Sequence, residues 1–358
     1  MSVAVGLSGG VDSAVTALLL KESGYQVIGL FMKTWNESKQ IPGCWGPDRK
    51  ALEAARQVAT HLGIPFFVID MSASFAQDVL TYFRKEYLRG RTPNPCVVCN
   101  HRLKFGSFLQ AVKETGEKFD YFATGHYVKK EYNRMTQRYM LKKALDKKKD
   151  QSYFLYLLTQ KQLKSALFPL GDYSKQQVRE LAITRGLPVS QRKESQDFLP
   201  GRKQLLCLKA ASGPILSIEG KHLGIHRGIF HYTIGQRRGL GIATGEPLYV
   251  LRIEPESNTI FVGPAKKCWR KELRIASFHY LSVRPFQAPQ KVMAKIRSTQ
   301  PAAVAILYPE TARRVRLVFD QPQWAVTPGQ SAVVYQGDIL VGGGIIDRER
   351  FSPVSSKK

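Results

Sequence analysis

Long apolar runs are missing from this 358-residue chain, so no segment reads as a bilayer-spanning helix. Met1 leads straight into Ser2-Val3-Ala4-Val5, without a basic segment or a signal-type cleavage site. A cytosolic protein with no membrane partner is the simplest expectation. Cysteine is scarce and odd in number, five residues in all, which argues against a secreted disulfide framework. Cys44, Cys207 and Cys268 stand alone and read as small buried or inert residues, whereas Cys96 and Cys99 form a C-x-x-C pair. Acidic residues are also few. The 28 Asp plus Glu face 54 Lys plus Arg, a net charge of +26. A solvated surface usually mixes both signs, so a polyanion such as a nucleic acid is the expected partner. A generally basic proteome is the plainer alternative. The charge gathers in Lys142, Lys143, Lys147, Lys148 and Lys149 and again in Arg313, Arg314 and Arg316.

What is present has two textures. The first half alternates strand and helix signals: strands at Val3–Leu7, Tyr25–Met32, Pro65–Ile69 and Tyr121–Thr124, with helices at Ala14–Glu22, Arg49–Leu62, Ser74–Leu88 and Ser174–Arg185. Strands separated by helices imply right-handed crossovers and an α/β fold with a parallel sheet. After about residue 200 the chain turns glycine-rich, with β-type runs such as Gly228–Ile234. Short strands follow at Val292–Ile296, Ala303–Leu307, Arg314–Phe319, Ser331–Tyr335 and Ile339–Gly342, the spacing of a small β-barrel or sandwich. The tail Ser352–Lys358 reads as disordered. Three domains are expected, over 1–200, 201–272 and 273–358.

Ser8-Gly9-Gly10-Val11-Asp12-Ser13 lies between the first strand and the first helix, at the strand's carboxyl end, where open α/β sheets bind ligands. Gly9 and Gly10 let backbone N–H groups approach phosphate oxygens, Ser8 and Ser13 add hydroxyl donors, and the helix presents its positive end. Asp12 is the odd element, since a carboxylate repels phosphates unless it holds Mg²⁺ or a catalytic group. No lysine follows the glycines as in a Walker A loop, and the G-x-G-x-x-G pattern is not met. The loop resembles that of the ATP-pyrophosphatases, which release pyrophosphate from ATP.

Five further segments narrow the substrate. Arg91-Thr92-Pro93-Asn94-Pro95-Cys96-Val97-Val98-Cys99-Asn100 places an extended turn before a helix. A cysteine there, flanked by His101, Arg102 and Lys104, should be a reactive thiol of depressed pKa. A zinc half-site is the alternative, but no second C-x-x-C completes it. Ala123-Thr124-Gly125-His126-Tyr127 ends another strand at the same sheet edge, and Asp150-Gln151-Ser152 opens a helix after the lysine cluster, with an ordinary N-cap as its plain reading. Thr233-Ile234-Gly235-Gln236-Arg237-Arg238-Gly239-Leu240-Gly241 and Thr327-Pro328-Gly329-Gln330-Ser331-Ala332-Val333 follow.

Together and in this order, these segments resemble the bacterial tRNA 2-thiouridylases over nearly the whole chain. The resemblance implies an adenine-nucleotide hydrolase-like N-terminal domain, a small central domain and a C-terminal β-barrel. It implies 2-thiolation of the wobble uridine (position 34) of the tRNAs for Lys, Glu and Gln. ATP, with Mg²⁺, would adenylate the C2 oxygen, and sulfur would arrive from a cysteine persulfide charged by a donor or relay protein. Carried onto this chain, Gly6, Leu7, Ser8, Gly9, Gly10, Val11, Asp12, Ser13, Met32 and Gly125 match the ATP contacts. Asn94, Pro95 and Cys96 match the target-base segment, and Cys99 matches the nucleophilic cysteine. His126, Lys149, Asp150, Gln151, Arg297, Ser298 and Gln330 fall where the family touches tRNA. No metal ligand is assigned.

Two positions depart from that pattern. Cys96 stands where most members have Asp, and the stretch Glu194-Ser195-Gln196-Asp197-Phe198-Leu199-Pro200 lacks the family's second catalytic cysteine. Cys96 is expected to act as partner thiol to Cys99, with a disulfide between them within reach. The alternatives are Cys207 reaching the site from a displaced loop, or an iron–sulfur cluster on Cys96, Cys99 and a third ligand. Rival functions are a lysidine-synthetase-type activation of cytidine and a tRNA-binding protein that has lost sulfur transfer.

Overall fold

A computed structural model describes residues 1–35, 49–192 and 211–348. Cys44, Cys207, the Glu194–Pro200 stretch and the tail therefore lie outside the described residues.

Five strands form a parallel sheet: β1 (Ser2–Gly6), β2 (Gln26–Lys33), β3 (Phe66–Asp70), β4 (Tyr121–Ala123) and β7 (Ala166–Leu167), in the order β3-β2-β1-β4-β7. Val3 pairs with Val27 on one side and Tyr121 on the other, and Val3, Ala4 and Val5 are wholly buried. The order reverses between β1 and β4, so the crevice at their carboxyl ends is the natural ligand position. Helix α1 (Val11–Glu22) is buried nearly all round, and Ala14 and Ala17 let it sit close to the sheet. Helix α2 (Arg49–Leu62) buries Ala51, Ala55, Val58, Ala59 and Leu62, a single stripe at helical spacing. The helical stretch from Ser72 to Leu88 is α3 (Ser72–Phe75) and α4 (Thr81–Leu88), joined by a π-helical turn.

A four-stranded sheet follows: β8 (Gly213–Ser217), β9 (His222–His226), β10 (Tyr249–Glu254) and β11 (Thr259–Gly263). The β-type reading of Gly228–Ile234 is overturned, because Ile229–His231 makes a 3-10 turn. His226 Nδ1 accepts the Gly228 N–H at 3.0 Å, which bends the chain where a strand would have extended.

Six strands close into a barrel: β12 (Trp269–Tyr280), β13 (Gln290–Lys295), β14 (Ala303–Thr311), β15 (Arg314–Trp324), β16 (Ser331–Gln336) and β17 (Ile339–Ile346), with β12 pairing both β15 and β17. Its interior holds Leu273, Leu307, Leu317, Phe319 and Val334. The α/β and β-barrel expectations thus hold. One feature was not expected: the hairpin β5 (Val128–Asn133) and β6 (Arg138–Lys143) leaves the α/β half and joins the barrel sheet, Lys142 pairing with Ile339. Arg138 Nη2 donates to the Tyr280 and Leu281 carbonyls at 3.3 and 2.8 Å, fixing the graft.

Candidate active site

The glycine-rich loop turns tightly on itself. Ser13 Oγ accepts the Ser8 N–H at 3.1 Å, donates to Gly10 O at 3.0 Å and lies 3.2 Å from Ser8 Oγ. Gly9 has φ of 75°, and a Cβ there would meet Ala51 O at 2.2 Å, so the loop is pressed onto α2. Arg192 Nη1 holds the outside, donating to Gly9 O at 2.9 Å and Lys50 O at 3.2 Å. Gly125, beyond β4, lies so close that a Cβ would be 2.8 Å from the Asp12 carbonyl carbon and 2.9 Å from Ser13 N. Met32, near the end of β2, is half-buried. The expected nucleotide residues are therefore gathered at the sheet's switch point.

Asp12 has two donors on one oxygen. Lys175 Nζ, from the start of α8 (Lys175–Thr184), lies 2.6 Å from Oδ1, and the Tyr127 hydroxyl donates to the same atom at 2.7 Å. Lys175, Tyr127 and Arg192 were not assigned from sequence. Tyr127 closes the Ala123–Tyr127 segment read as ending at this sheet edge, whereas no local pattern marks Lys175 or Arg192, which reach the loop from more than a hundred residues away.

Of the residues expected to touch tRNA, Gln151 connects back to this loop through Tyr127. Gln151 Oε1 accepts the Tyr127 N–H at 3.0 Å, and Gln151 N donates to Tyr127 O at 2.9 Å. Asp150 Oδ1 takes the Ala144 N–H at 3.1 Å and its Oδ2 takes the Ser152 hydroxyl at 2.8 Å, whereas the N-cap of the following turn is Gln151, which makes no side-chain cap bond. The segment it opens is one 3-10 turn, Ser152–Leu155. Lys149 N bonds Asp146 O at 3.1 Å in the preceding turn. Part of the lysine cluster is tied down: Lys142 to Glu131 at 2.5 Å and Lys147 to Asp338 at 2.9 Å.

His126 Nδ1 sits 2.7 Å from Thr124 Oγ1, beside Phe105 and Phe168. Burial, with Lys104 nearby, pushes its pKa down to about 3, so the ring is neutral at physiological pH. The folded form binds fewer protons than the unfolded chain between that value and the ordinary histidine value. Stability from this site is therefore present above about pH 6.5 and lost as pH falls toward 3, by at most roughly 1.4 kcal/mol per pH unit. His126→Phe should flatten this slope, as measured by urea unfolding at pH 7 and pH 5.

The segment expected to meet the target base is docked on the barrel. Thr92 N donates to Pro328 O at 2.9 Å, and Gln330 Nε2 donates to Thr92 O at 3.0 Å and Pro93 O at 3.2 Å. Tyr153 OH donates to Ser331 O at 2.8 Å just behind. Gln330 thus braces Thr92 and Pro93, just ahead of Asn94, Pro95 and Cys96. Arg297 Nη2 reaches Ala325 O at 3.0 Å, Thr327 Oγ1 at 2.8 Å and Ile234 O at 3.4 Å, joining the barrel to the Thr233–Gly241 segment. Ser298 is half-buried in the turn after β13.

Helix α5 (Pro95–Val98) starts with Pro at its first position and runs into a π-helical segment, Cys99–Ser107. Cys96 is half-exposed in the first turn, Cys99 is buried one turn on, and neither forms a disulfide. The depressed pKa expected for Cys99 is overturned. Burial among Val97, Leu103 and Phe105 pushes its thiol up, and Lys104 offsets this only in part. Among the described residues, no group of three His, Cys, Asp or Glu side chains is arranged to hold a metal ion. No described helix is long and apolar enough to cross a membrane.

Residues 1–199 match the tRNA methyl transferase HUP domain, 204–264 the tRNA methyl transferase PRC-barrel domain, and 270–346 the aminomethyltransferase beta-barrel domain. The chain is 47% identical over 360 residues to the tRNA-specific 2-thiouridylase MnmA 2 of Thermoanaerobacter sp. (strain X514), covering 97% of this chain and 98% of that one. It is 45% identical to the tRNA-specific 2-thiouridylase MnmA of Acetivibrio thermocellus, with 96% and 98% covered. To that of Clostridioides difficile it is 43% identical, with 97% and 98% covered.

Proposed function

This chain belongs to the tRNA 2-thiouridylase family, and on that premise we propose that it thiolates C2 of the wobble uridine (position 34) in the tRNAs for Lys, Glu and Gln, using ATP. It is a sulfurtransferase, an enzyme that uses tRNA as substrate. The observation that carries the finer reading is the meeting of the Ser8–Ser13 loop with Gly125 at the sheet's switch point.

There the loop's N–H groups and hydroxyls receive the pyrophosphate end of ATP, and the C2 oxygen of uridine attacks the α-phosphorus. Pyrophosphate leaves, and the poor oxygen leaving group becomes AMP. Mg²⁺ would ride with the phosphates, for which one or two carboxylates suffice, and Asp12 is the carboxylate at hand. A flipped-out base costs little to present from an anticodon loop. The Pro93–Cys96 segment, braced by Gln330, is where it would rest.

Sulfur follows by two displacements. Half-exposed Cys96 takes a sulfur atom from a donor persulfide, releasing the donor thiolate. Its terminal sulfur attacks C2, and AMP leaves. Cys99, one helical turn away, then attacks the Cys96 sulfur, so 2-thiouridine departs and a Cys96–Cys99 disulfide forms. A thiol reductant supplies two electrons to restore both thiols.

The test is mass analysis of unmodified tRNA incubated with protein, ATP, Mg²⁺ and sulfide. Exchange of oxygen for sulfur at position 34 is expected, with one AMP and one pyrophosphate formed per sulfur. Pyrophosphate release without sulfur gain, or modification of a cytidine, overturns the assignment.

A further inference from the structure

The pyrophosphate loop carries no lysine of its own, yet it contains an aspartate in the first turn of α1. The helix terminus favours that anion, but phosphates placed beside it would be repelled. Lys175 answers both facts. Its ammonium lies 2.6 Å from Asp12 Oδ1, the residue is 9% exposed, and it stands 5.9 Å from the centre of the Tyr127 ring. The backbone is held as firmly as the head group. Ser174 caps α8 with a reciprocal Gln177 bond, and Lys175 N donates to Asp146 Oδ2 at 3.0 Å. A long, entropy-rich side chain is seldom buried this way unless its charge is used in place.

The geometry points to Lys175 as the cation of the pyrophosphate site, supplied by α8 in place of a loop lysine, with the β- and γ-phosphates of ATP as its ligand. This deepens the ATP reading above and rests on it. With no nucleotide bound, Asp12 and Tyr127 hold the ammonium at the loop. With nucleotide bound, the same ammonium cancels the Asp12 charge and donates to the leaving pyrophosphate. Tyr127 belongs to the same device. Its hydroxyl keeps Asp12 Oδ1 oriented, and its backbone is bonded to Gln151, so the lysine's anchor is coupled to a segment expected to meet tRNA.

The full-length protein is titrated calorimetrically with inorganic pyrophosphate in the absence of metal, and separately with ATP. Lys175→Gln should weaken pyrophosphate binding by on the order of ten- to a hundredfold, whereas Lys175→Arg should stay within about threefold. If the lysine merely neutralised Asp12, the double variant Asp12→Asn/Lys175→Gln would regain wild-type binding. It is expected to recover only part of the loss, because the charge cancellation is restored and the hydrogen-bond donor is not. An acyl-phosphate derivative of ATP, which acylates amines next to the phosphates, should modify Lys175 in the wild-type protein and be blocked by pyrophosphate. This second measurement needs no variant to fold. Wild-type pyrophosphate affinity in Lys175→Gln or in the double variant, or acylation that spares Lys175, overturns the inference. A wild-type protein that binds neither ATP nor pyrophosphate overturns the nucleotide reading itself, and this inference with it.

Discussion

Cys96→Ser is expected to abolish tRNA thiolation from a purified persulfide donor, a loss on the order of a thousandfold or more, while ATP-dependent pyrophosphate release continues. Cys99→Ser should do the same, and Cys207→Ser should leave the rate unchanged. The reason is division of labour between two thiols one helical turn apart. Cys96, half-exposed at the second position of α5, is accessible to a macromolecular donor. Cys99 is buried with its pKa raised, so it is protected from the donor and serves as resolving thiol. That asymmetry gives the reaction a pH signature. If resolution by Cys99 limits turnover, the rate climbs by up to about tenfold per pH unit from neutrality to beyond the ordinary thiol pKa. Stopped reactions should contain tRNA joined to Cys96 when Cys99 is serine, visible as a reductant-sensitive adduct on a denaturing gel. Full activity of Cys96→Ser, or an adduct through Cys207, removes this scheme. Sulfide should rescue Cys96→Ser because it needs no carrier.

Gly9→Ala should cost on the order of 3 kcal/mol of folding stability and remove ATP binding, whereas Gly10→Ala should leave stability within about 0.5 kcal/mol. At Gly9 the backbone is left-handed, and the added methyl would meet the Ala51 carbonyl oxygen, part of a helix that cannot retreat without opening its own core. At Gly10 the backbone is extended, and a Cβ would meet only Ser8 Oγ at 3.6 Å, an ordinary contact. The cost there falls on ligand approach instead, so Gly10→Ala should fold normally and still bind ATP more weakly. Urea unfolding and ATP calorimetry on the two variants separate these effects. Equal stability of both variants would contradict the described packing of the loop.

How much of this was legible beforehand follows the range of the forces involved. Helix α2 could be read from Arg49 to Leu62 because its apolar stripe is local and periodic. The phosphate loop could be read because its glycines, hydroxyls and flanking strand lie within a few residues of one another. Strand β12 was missed. It is interrupted by irregular pairing between Ala276 and His279, and two consecutive exposed residues, Lys271 and Glu272, break the alternation. Cys99 was misread for a related reason. The basic residues His101, Arg102 and Lys104 are visible in sequence, but the apolar wall that outweighs Lys104 comes from tertiary packing. Lys175 reaches Asp12 across 163 residues, so no local pattern could have named it. Gln330 and Arg297 were singled out by resemblance alone, and their bonds to the Thr92–Pro93 and Ile234 carbonyls show these residues holding the domains to one another.

The hairpin β5–β6 makes the order of synthesis matter. Its Lys143 ammonium donates to Gly337 O at 3.2 Å, a partner 194 residues further along the chain. At a ribosomal rate of about 5–20 residues per second, the hairpin emerges roughly ten to forty seconds before the strand it joins. During that interval its edge has no native neighbour, and an open edge recruits other chains. Lys129, Lys130, Lys142 and Lys143 lie along these two strands, a charge density that discourages such recruitment. Lys142 and Lys143, read first as part of a nucleic-acid footprint, thus also guard a nascent N-terminal half until its barrel arrives.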